Sequence, residues 1–375
     1  MGHRVADYKL RAGAELLEAD VSESGLFDLV QLQRLVSKVD ERLDLIEDDR
    51  SFVIDLSATE RWDIAAILWM VIGLHYYKQR GMSFQLVLPQ DDSFAKDECG
   101  VIDANNSADF LRLWNFDDAL QNIDPVPSEL LIDEQYSYFS DKKKYSNYKA
   151  RGEAKSNLLS SFLLMGVLEI RNLVDSRALG KRVVSDKLIT NCIEDYHFSG
   201  IGDVLNKKCD IPAEISDLIS DHLLSEAIMN VKEHPNATIG MVALAFRFDT
   251  NELIIAVADN GVSIPDTLRT RFNDDEVLRR IEKCESLTEK GNIVHYATMP
   301  GVSSKQELQG DNPIGMGLTY IKNDAVKKFG GSLTVITDSL MAEYNSENIE
   351  TPIESDWVHK WGGNLLRIAI PLKRW

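Results

Sequence analysis

Residues 213–234 carry two interleaved rows of side chains at steps of four, and these rows constrain the fold more than any other stretch. Ile215, Ile219, Leu223, Ala227 and Val231 form an apolar row; Glu226, Asn230 and His234 form a polar one beside it. Side chains four apart stack on one face of an α-helix. The segment therefore predicts an amphipathic helix with one side to bury and a chemically mixed side to present. Taken alone, the polar row reads first as an exposed face.

The surface that could bury the apolar row follows at once. TIGMVALAFRFD (238–249) and ELIIAVADN (252–260) are β-rich, and Asp249-Thr250-Asn251 between them fits a hairpin turn. A loop-rich stretch is expected over 261–314. GLTYIKNDAVKKFGG (317–331) has helical spacing, with Leu318, Ile321, Ala325, Val326 and Phe329 on one side and Gly330-Gly331 as its stop. SLTVIT (332–337) and NLLRIAIPL (364–372) predict a closing hairpin. The order predicts one layer of helices on one antiparallel sheet. Upstream, a long helix is expected over about 157–175, and 176–211 is ambiguous.

Two glycine motifs sit at the ends of these elements. VADNGVSIP (257–265) puts Asp259 at a strand end with Gly261 two residues on, where a carboxylate can read a ligand donor while backbone comes close. NPIGMGLTYI (312–321) places Gly315 and Gly317 directly before a helix. Free N–H groups, the positive end of the helix dipole and the missing Cβ suit an anion there. Each motif alone is weak, a lone GxG before a helix being more often a turn than a phosphate cradle, and no GKS or GKT follows to make a Walker motif.

Together, ExxxNxxxH on a helix, DNG after a strand and GMGL opening a helix that ends in GG resemble the GHKL ATPase family, with a motif helix nearest the anti-sigma-factor serine kinases. The resemblance covers about 210–375. It implies a Bergerat-fold α/β sandwich, a helix layer on a mixed, largely antiparallel sheet, binding ATP and Mg²⁺. It also implies roles by position. Asn230 holds Mg²⁺ through its amide oxygen, a hard ligand for a hard ion. Glu226 orients or deprotonates the attacking water or hydroxyl, a task suited to a carboxylate. His234 lies towards the phosphates. Asp259 accepts the exocyclic amine of adenine, and Gly261 lets the base approach. Gly315, Gly317 and Leu318 form the phosphate box, 264–314 the ATP lid, Lys305 of GVSSK reaches a phosphate, and Thr337 supports the adenine pocket. Ser263 replaces the second glycine of the first box, so the expectation is either a stiffer loop or a slightly displaced base.

The front of the chain alternates differently. A helix over 26–46, a strand at 51–57, a helix over 63–80, a strand at 82–89 and a helix over 107–120 predict an α/β domain. VIDLSATERWDIAAILWMVIGLHYYKQRGMSFQLVLP resembles a STAS domain, the fold of anti-sigma-factor antagonists, over about 50–121. Asp55-Leu56-Ser57 matches its start and Asp63 its second aspartate. Where that family carries a phosphorylated serine this chain has Ile64, so the resemblance implies a docking or oligomerisation module and not a substrate, with Ser57 and Thr59 the remaining hydroxyls nearby. The expected organisation is α/β and α+β: 1–123 STAS-like, 124–156 a linker or surface excursion, 157–375 the ATP-binding domain. The Lys142–Lys144 run reads as a solvated cluster.

Composition bounds the partners. A formal charge of −19 repels nucleic acid and anionic membrane. Four scattered cysteines without CxxC spacing suit a reducing compartment. The N-terminus lacks a signal-type apolar stretch, and AAILWMVIGL (65–74) is too short to span a bilayer, so a cytoplasmic protein is expected. The functional expectation is a Mg-ATP-dependent ATPase or Ser/Thr protein kinase in partner switching, with a protein partner or a second copy of the chain engaging the STAS-like domain. The alternative is an ATP-responsive interaction module in which lid closure controls partner binding with little or no turnover.

Overall fold

Alternation of side chains across strands decides how this chain is layered. The computed structural model describes residues 15–20, 25–43, 51–59, 61–87, 163–168, 205–206, 211–233, 237, 240–247, 250–271, 286–300, 302, 317–357 and 361–372. Among them the front of the chain forms β1 (Glu15–Glu18), β2 (Leu26–Phe27), α1 (Leu29–Leu43), β3 (Ser51–Asp55), β4 (Arg61–Trp62), α2 (Ile64–Gln79) and β5 (Ser83–Val87). β1, β3 and β5 pair in parallel in that order, and β2 pairs in parallel with β4. The helix expected over 107–120 and the linker at 124–156 lie outside the described residues.

The rest of the chain builds a seven-stranded sheet from β6 (Leu163–Leu168), β7 (Gly240–Arg247), β8 (Glu252–Asp259), β9 (Ser332–Thr337), β10 (Leu340–Tyr344), β11 (Ile353–Asp356) and β12 (Asn364–Pro371). Its order is β11-β10-β9-β12-β8-β7-β6, and every pairing is antiparallel, where a mixed sheet was expected. Helix α3 runs over 213–233, with a π-helical stretch Leu218–Leu224 between Ala213–Asp217 and Ser225–Glu233. α4 (Ile264–Arg271), α5 (Glu289–Ala297) and α6 complete it. α6 starts as Gly317–Lys322 and continues as a π-helical stretch, Asn323–Lys328.

One face of this sheet packs on α3 and α6. Val242, Leu244, Leu253, Ile255, Val257, Leu333, Val335 and Ile368 share a core there with Leu223, Ala227, Val231, Ile321 and Phe329. The apolar row at steps of four is thus on the buried side. The opposite face was expected to lack a helix layer, yet it packs on α2. Met241, Ala243, Ala245, Ile254, Ala256, Ala258, Leu365 and Ala369 share a second core with Trp69 and the rest of that helix. Ile64 through His75 are all buried, and a helix apolar all round must be covered on every side. The run of alanines on the sheet admits its large side chains closely. Among the described residues no helix is long and apolar enough to cross a membrane.

Three local expectations are corrected. SFLLMGVLEI was assigned to a helix over 157–175, but Leu163–Leu168 is an edge strand paired with β7; a short continuous apolar run has no period to separate the two states. The stretch 261–314 is not simply loop: α4 and α5 lie in it, and Ile264, Leu268, Ile293 and Val294 enter the core. The closing hairpin is not β9 with β12. β9 turns through Asp338 and Ser339 (φ 45° and 62°) into β10, β11 follows, and β12 returns to lie between β9 and β8. Two successive positive-φ residues are the signature of a tight hairpin turn. The first hairpin is as expected, with Asn251 at φ 54° in its turn.

Candidate functional site

Three strands end level with one another. Asn364 at the start of β12 is opposite Asp259 at the end of β8 on one side and Thr337 at the end of β9 on the other. A single hydrogen-bond network joins them. Thr337 donates its hydroxyl to Asn364 Oδ1 at 2.6 Å, and the Ile264 amide donates to both oxygens at 3.0 Å. The Asn364 amide donates to both Asp259 carboxylate oxygens at 3.3 Å and to the Val262 carbonyl at 3.1 Å. The Gly261 amide donates to Asp259 Oδ1 at 2.7 Å, closing the turn of the first glycine box. Asp259 is 2% exposed, Thr337 0% and Asn364 4%. A buried carboxylate held by several donors is fixed in direction.

Ser263 explains the departure from a second glycine. Its hydroxyl donates to Asp266 Oδ2 at 2.8 Å and accepts from the Asp266 amide at 3.1 Å, capping α4. A side-chain cap that glycine cannot provide thus stiffens this turn.

The second half of the site is a contact between the motif helix and the glycine box. A Cβ on Gly317 would lie 2.9 Å from Asn230 Oδ1 and 3.2 Å from Glu226 Oε2. Gly317, Asn230 and Glu226 therefore meet with no room for a larger residue between them. The amide nitrogen of Asn230 is buried and has no hydrogen-bond partner among the described residues.

Chain geometry puts both halves at one end of the molecule. α6 leaves Gly317, stops at Gly330-Gly331 (Gly330 at φ 66°), and β9 returns to Thr337. A twelve-residue helix and a six-residue strand both span roughly 20 Å. The N-terminus of α6 and the end of β9 therefore lie side by side. Leu318 is half-buried against the core and anchors that N-terminus. His234, Lys305 and Gly315 lie outside the described residues. Of the stretch expected to form a lid, 264–271 and 289–297 are helices built into the core.

Asn364 was missed. No local motif marks it, and its partner Asp259 is 105 residues away in the chain. The residues after the last glycine pair, Gly362-Gly363-Asn364, were the available signal.

Beneath the glycine-box helix lies a second polar cluster. Lys322, 6% exposed, donates to Thr298 Oγ1 at 3.1 Å and sits 5.3 Å over the Tyr344 ring. His295 stacks on the same ring, 6.3 Å between centroids. Burial pushes His295 below its ordinary value and the Lys322 charge pushes it further, with Glu350 opposing. Burial lowers Lys322 as well, against Glu350. The sign follows from proton uptake. Below about 6.5 the unfolded imidazole binds a proton that the folded one resists, so stability is full above that value and falls on acidification. His295→Gln is expected to flatten this slope. Urea midpoints at pH 7.5 and 5.5 check it, and equal losses in both proteins would remove His295 from the account.

No protein-family model matches this chain, and no characterised protein matches it in sequence.

Proposed function

We propose that the chain is a Mg-ATP-binding regulatory protein of GHKL type, an ATPase or Ser/Thr protein kinase, preceded by a STAS-like module. The observation that carries this is the meeting of Gly317 with Asn230 and Glu226, two motifs about ninety residues apart in sequence. A notch without a Cβ, an amide whose nitrogen has no partner among the described residues and a carboxylate suit a phosphate-bound cation and a reacting oxygen. Among the described residues no three His, Cys, Asp or Glu side chains group to hold a metal, and Mg²⁺, which keeps water and phosphate ligands, needs no such cage.

On this reading the nucleotide supplies a transferable phosphoryl group, and the chain's residues do the positioning. Asp259, aimed by Asn364, accepts from the exocyclic amine of the base. Free amides at the start of α6 face the phosphates. Asn230 turns its amide oxygen to the cation. Glu226 takes the proton of the attacking water or hydroxyl. His234 and Lys305 belong to the phosphate end.

The front module is read as a cytoplasmic docking surface for a protein partner or a second copy, not as a phosphoacceptor. Ile64 is 2% exposed and has no hydroxyl, and Thr59 is also 2% exposed. Asp63 serves structure instead: it caps α2 through the Ala65 amide at 2.8 Å and pairs with Arg367 of β12 at 3.0 Å. The switch reading, nucleotide binding with little turnover, draws on the same contact between front module and sheet.

Calorimetric titration of the full chain with Mg-ATP and Mg-GTP tests the proposal. Guanine presents an acceptor where adenine presents its amine, so ATP is expected to bind about tenfold or more tighter, the worth of one hydrogen bond to a charged group. Asp259→Asn should erase that preference. A wild-type protein that binds neither nucleotide overturns the proposal.

A further inference from the structure

We infer that the front module sets the base end of the nucleotide site from behind, and that Trp361 is the positioning residue through which it does so. The inference rests on reading Asp259 as the base-recognising carboxylate. Trp361 is 3% exposed and lies among aromatic side chains of α2: 5.7 Å from Trp69, 5.7 Å from Tyr77 and 6.3 Å from Tyr76, between ring centroids. Its indole rests on Gly73, where a Cβ would come within 2.9 Å of the ring. The glycine in this buried helix is a notch shaped to the tryptophan. Tyr77 is itself fixed, its hydroxyl donating to Asp40 of α1 at 2.6 Å, and burial raises its pKa far enough to keep it a donor. The front module thus holds Trp361 from α1 as well as α2.

On its other side the same short segment is pressed onto the first glycine box. Gly362 faces the Gly261 carbonyl, 3.1 Å from where its Cβ would be. Gly363, at φ +109°, lies so close that a Cβ would overlap the Asp259 carbonyl oxygen. Asn364 follows and holds the Asp259 carboxylate. From the indole to that amide there are three residue steps, and the two glycines between are used for close contact, leaving no slack to absorb a shift. A displacement of Trp361 is therefore handed to Asp259, Gly261 and Asn364. The contact between α6 and α3 that holds Glu226, Asn230 and Gly317 is on the opposite face of the sheet and does not include this segment. The front module accordingly controls affinity for the base and not for the phosphates. By reciprocity, base binding strengthens the seating of Trp361 on α2 by the same factor.

Two variants of the full chain test this: Gly73→Ala, which pushes on the indole, and Trp361→Phe, which keeps an aromatic ring and removes the outer one. Adenosine, Mg-ATP and Mg-tripolyphosphate are titrated into each, and amide hydrogen exchange is read at Gly261 and Ile264, whose N–H groups report the network directly. Adenosine and ATP are expected to weaken about tenfold, a usual size for coupling between sites. Tripolyphosphate is expected to be unchanged, and exchange at Gly261 and Ile264 to quicken well beyond that of the strand centres. Unchanged exchange at the two amides overturns the inference. So does equal weakening of adenosine and tripolyphosphate, which is general loss of stability. A wild type that binds no nucleotide removes the functional proposal alone, because the exchange arm still decides whether Trp361 positions the Asp259 turn.

Discussion

Gly363→Ala is expected to lower the melting temperature by roughly 10 °C, a cost of about 4 kcal/mol on a domain scale of a few degrees per kcal/mol. Two effects add. The backbone at Gly363 stands at φ +109°, a region that side chains other than glycine rarely adopt, and holding another residue there costs about 1–3 kcal/mol. A Cβ would also overlap the Asp259 carbonyl oxygen and approach the Asn260 Cα to 2.9 Å, and forcing extra atoms into packed surroundings costs about 1–3 kcal/mol more. Neither neighbour can yield easily, because both belong to the turn that leaves β8. Gly362 is the internal control. It is exposed, and its Cβ would meet only the Gly261 carbonyl at 3.1 Å, so Gly362→Ala should cost well under half as much. If thermal melts of the two variants coincide, the close approach at Gly363 is not what holds the strand ends level.

This pair also shows where sequence reading stops. The apolar row on α3, the glycine stop after α6 and the hairpin between β7 and β8 are local: each is written in one short consecutive stretch, and each is found as expected. Asp259 and Gly261 were legible as a strand end followed by a glycine, whereas Thr337 was singled out only through the family resemblance, because the turn beyond it carries no glycine. Asn364 was not legible, since its importance comes from lying between two strands that arrive from distant parts of the chain. β10 could have been seen: LMAEY alternates buried and half-buried positions after a two-residue turn, but the turn lacks glycine. Leu163–Leu168 could not, because a run apolar throughout leaves helix and edge strand undecided until the free edge of β7 is known. The uniform apolarity of Ile64–Leu74 did carry a message. It asked for a cover on every side, and the alanines of β7, β8 and β12 provide it.

Glu226→Gln bears on the chemistry most directly, with an expected loss of turnover of about 10²–10³-fold and nucleotide affinity within twofold of wild type. The substitution keeps the shape that packs against Gly317 and removes only the ability to take a proton. Asn230→Ala separates the other role: it takes away an amide whose nitrogen has no hydrogen-bond partner among the described residues, and Mg²⁺-dependent affinity is expected to fall. Gly317→Ala strikes both, since its Cβ would stand 2.9 Å from Asn230 Oδ1 and 3.2 Å from Glu226 Oε2. Single-turnover phosphate release and equilibrium titration, run side by side, distinguish these. A Glu226→Gln protein that hydrolyses at the wild-type rate would take the carboxylate out of the reaction. A wild type that binds Mg-ATP without releasing phosphate would make the nucleotide a switch ligand, and the front module, seated on the far face of the same sheet, becomes the element that reads it.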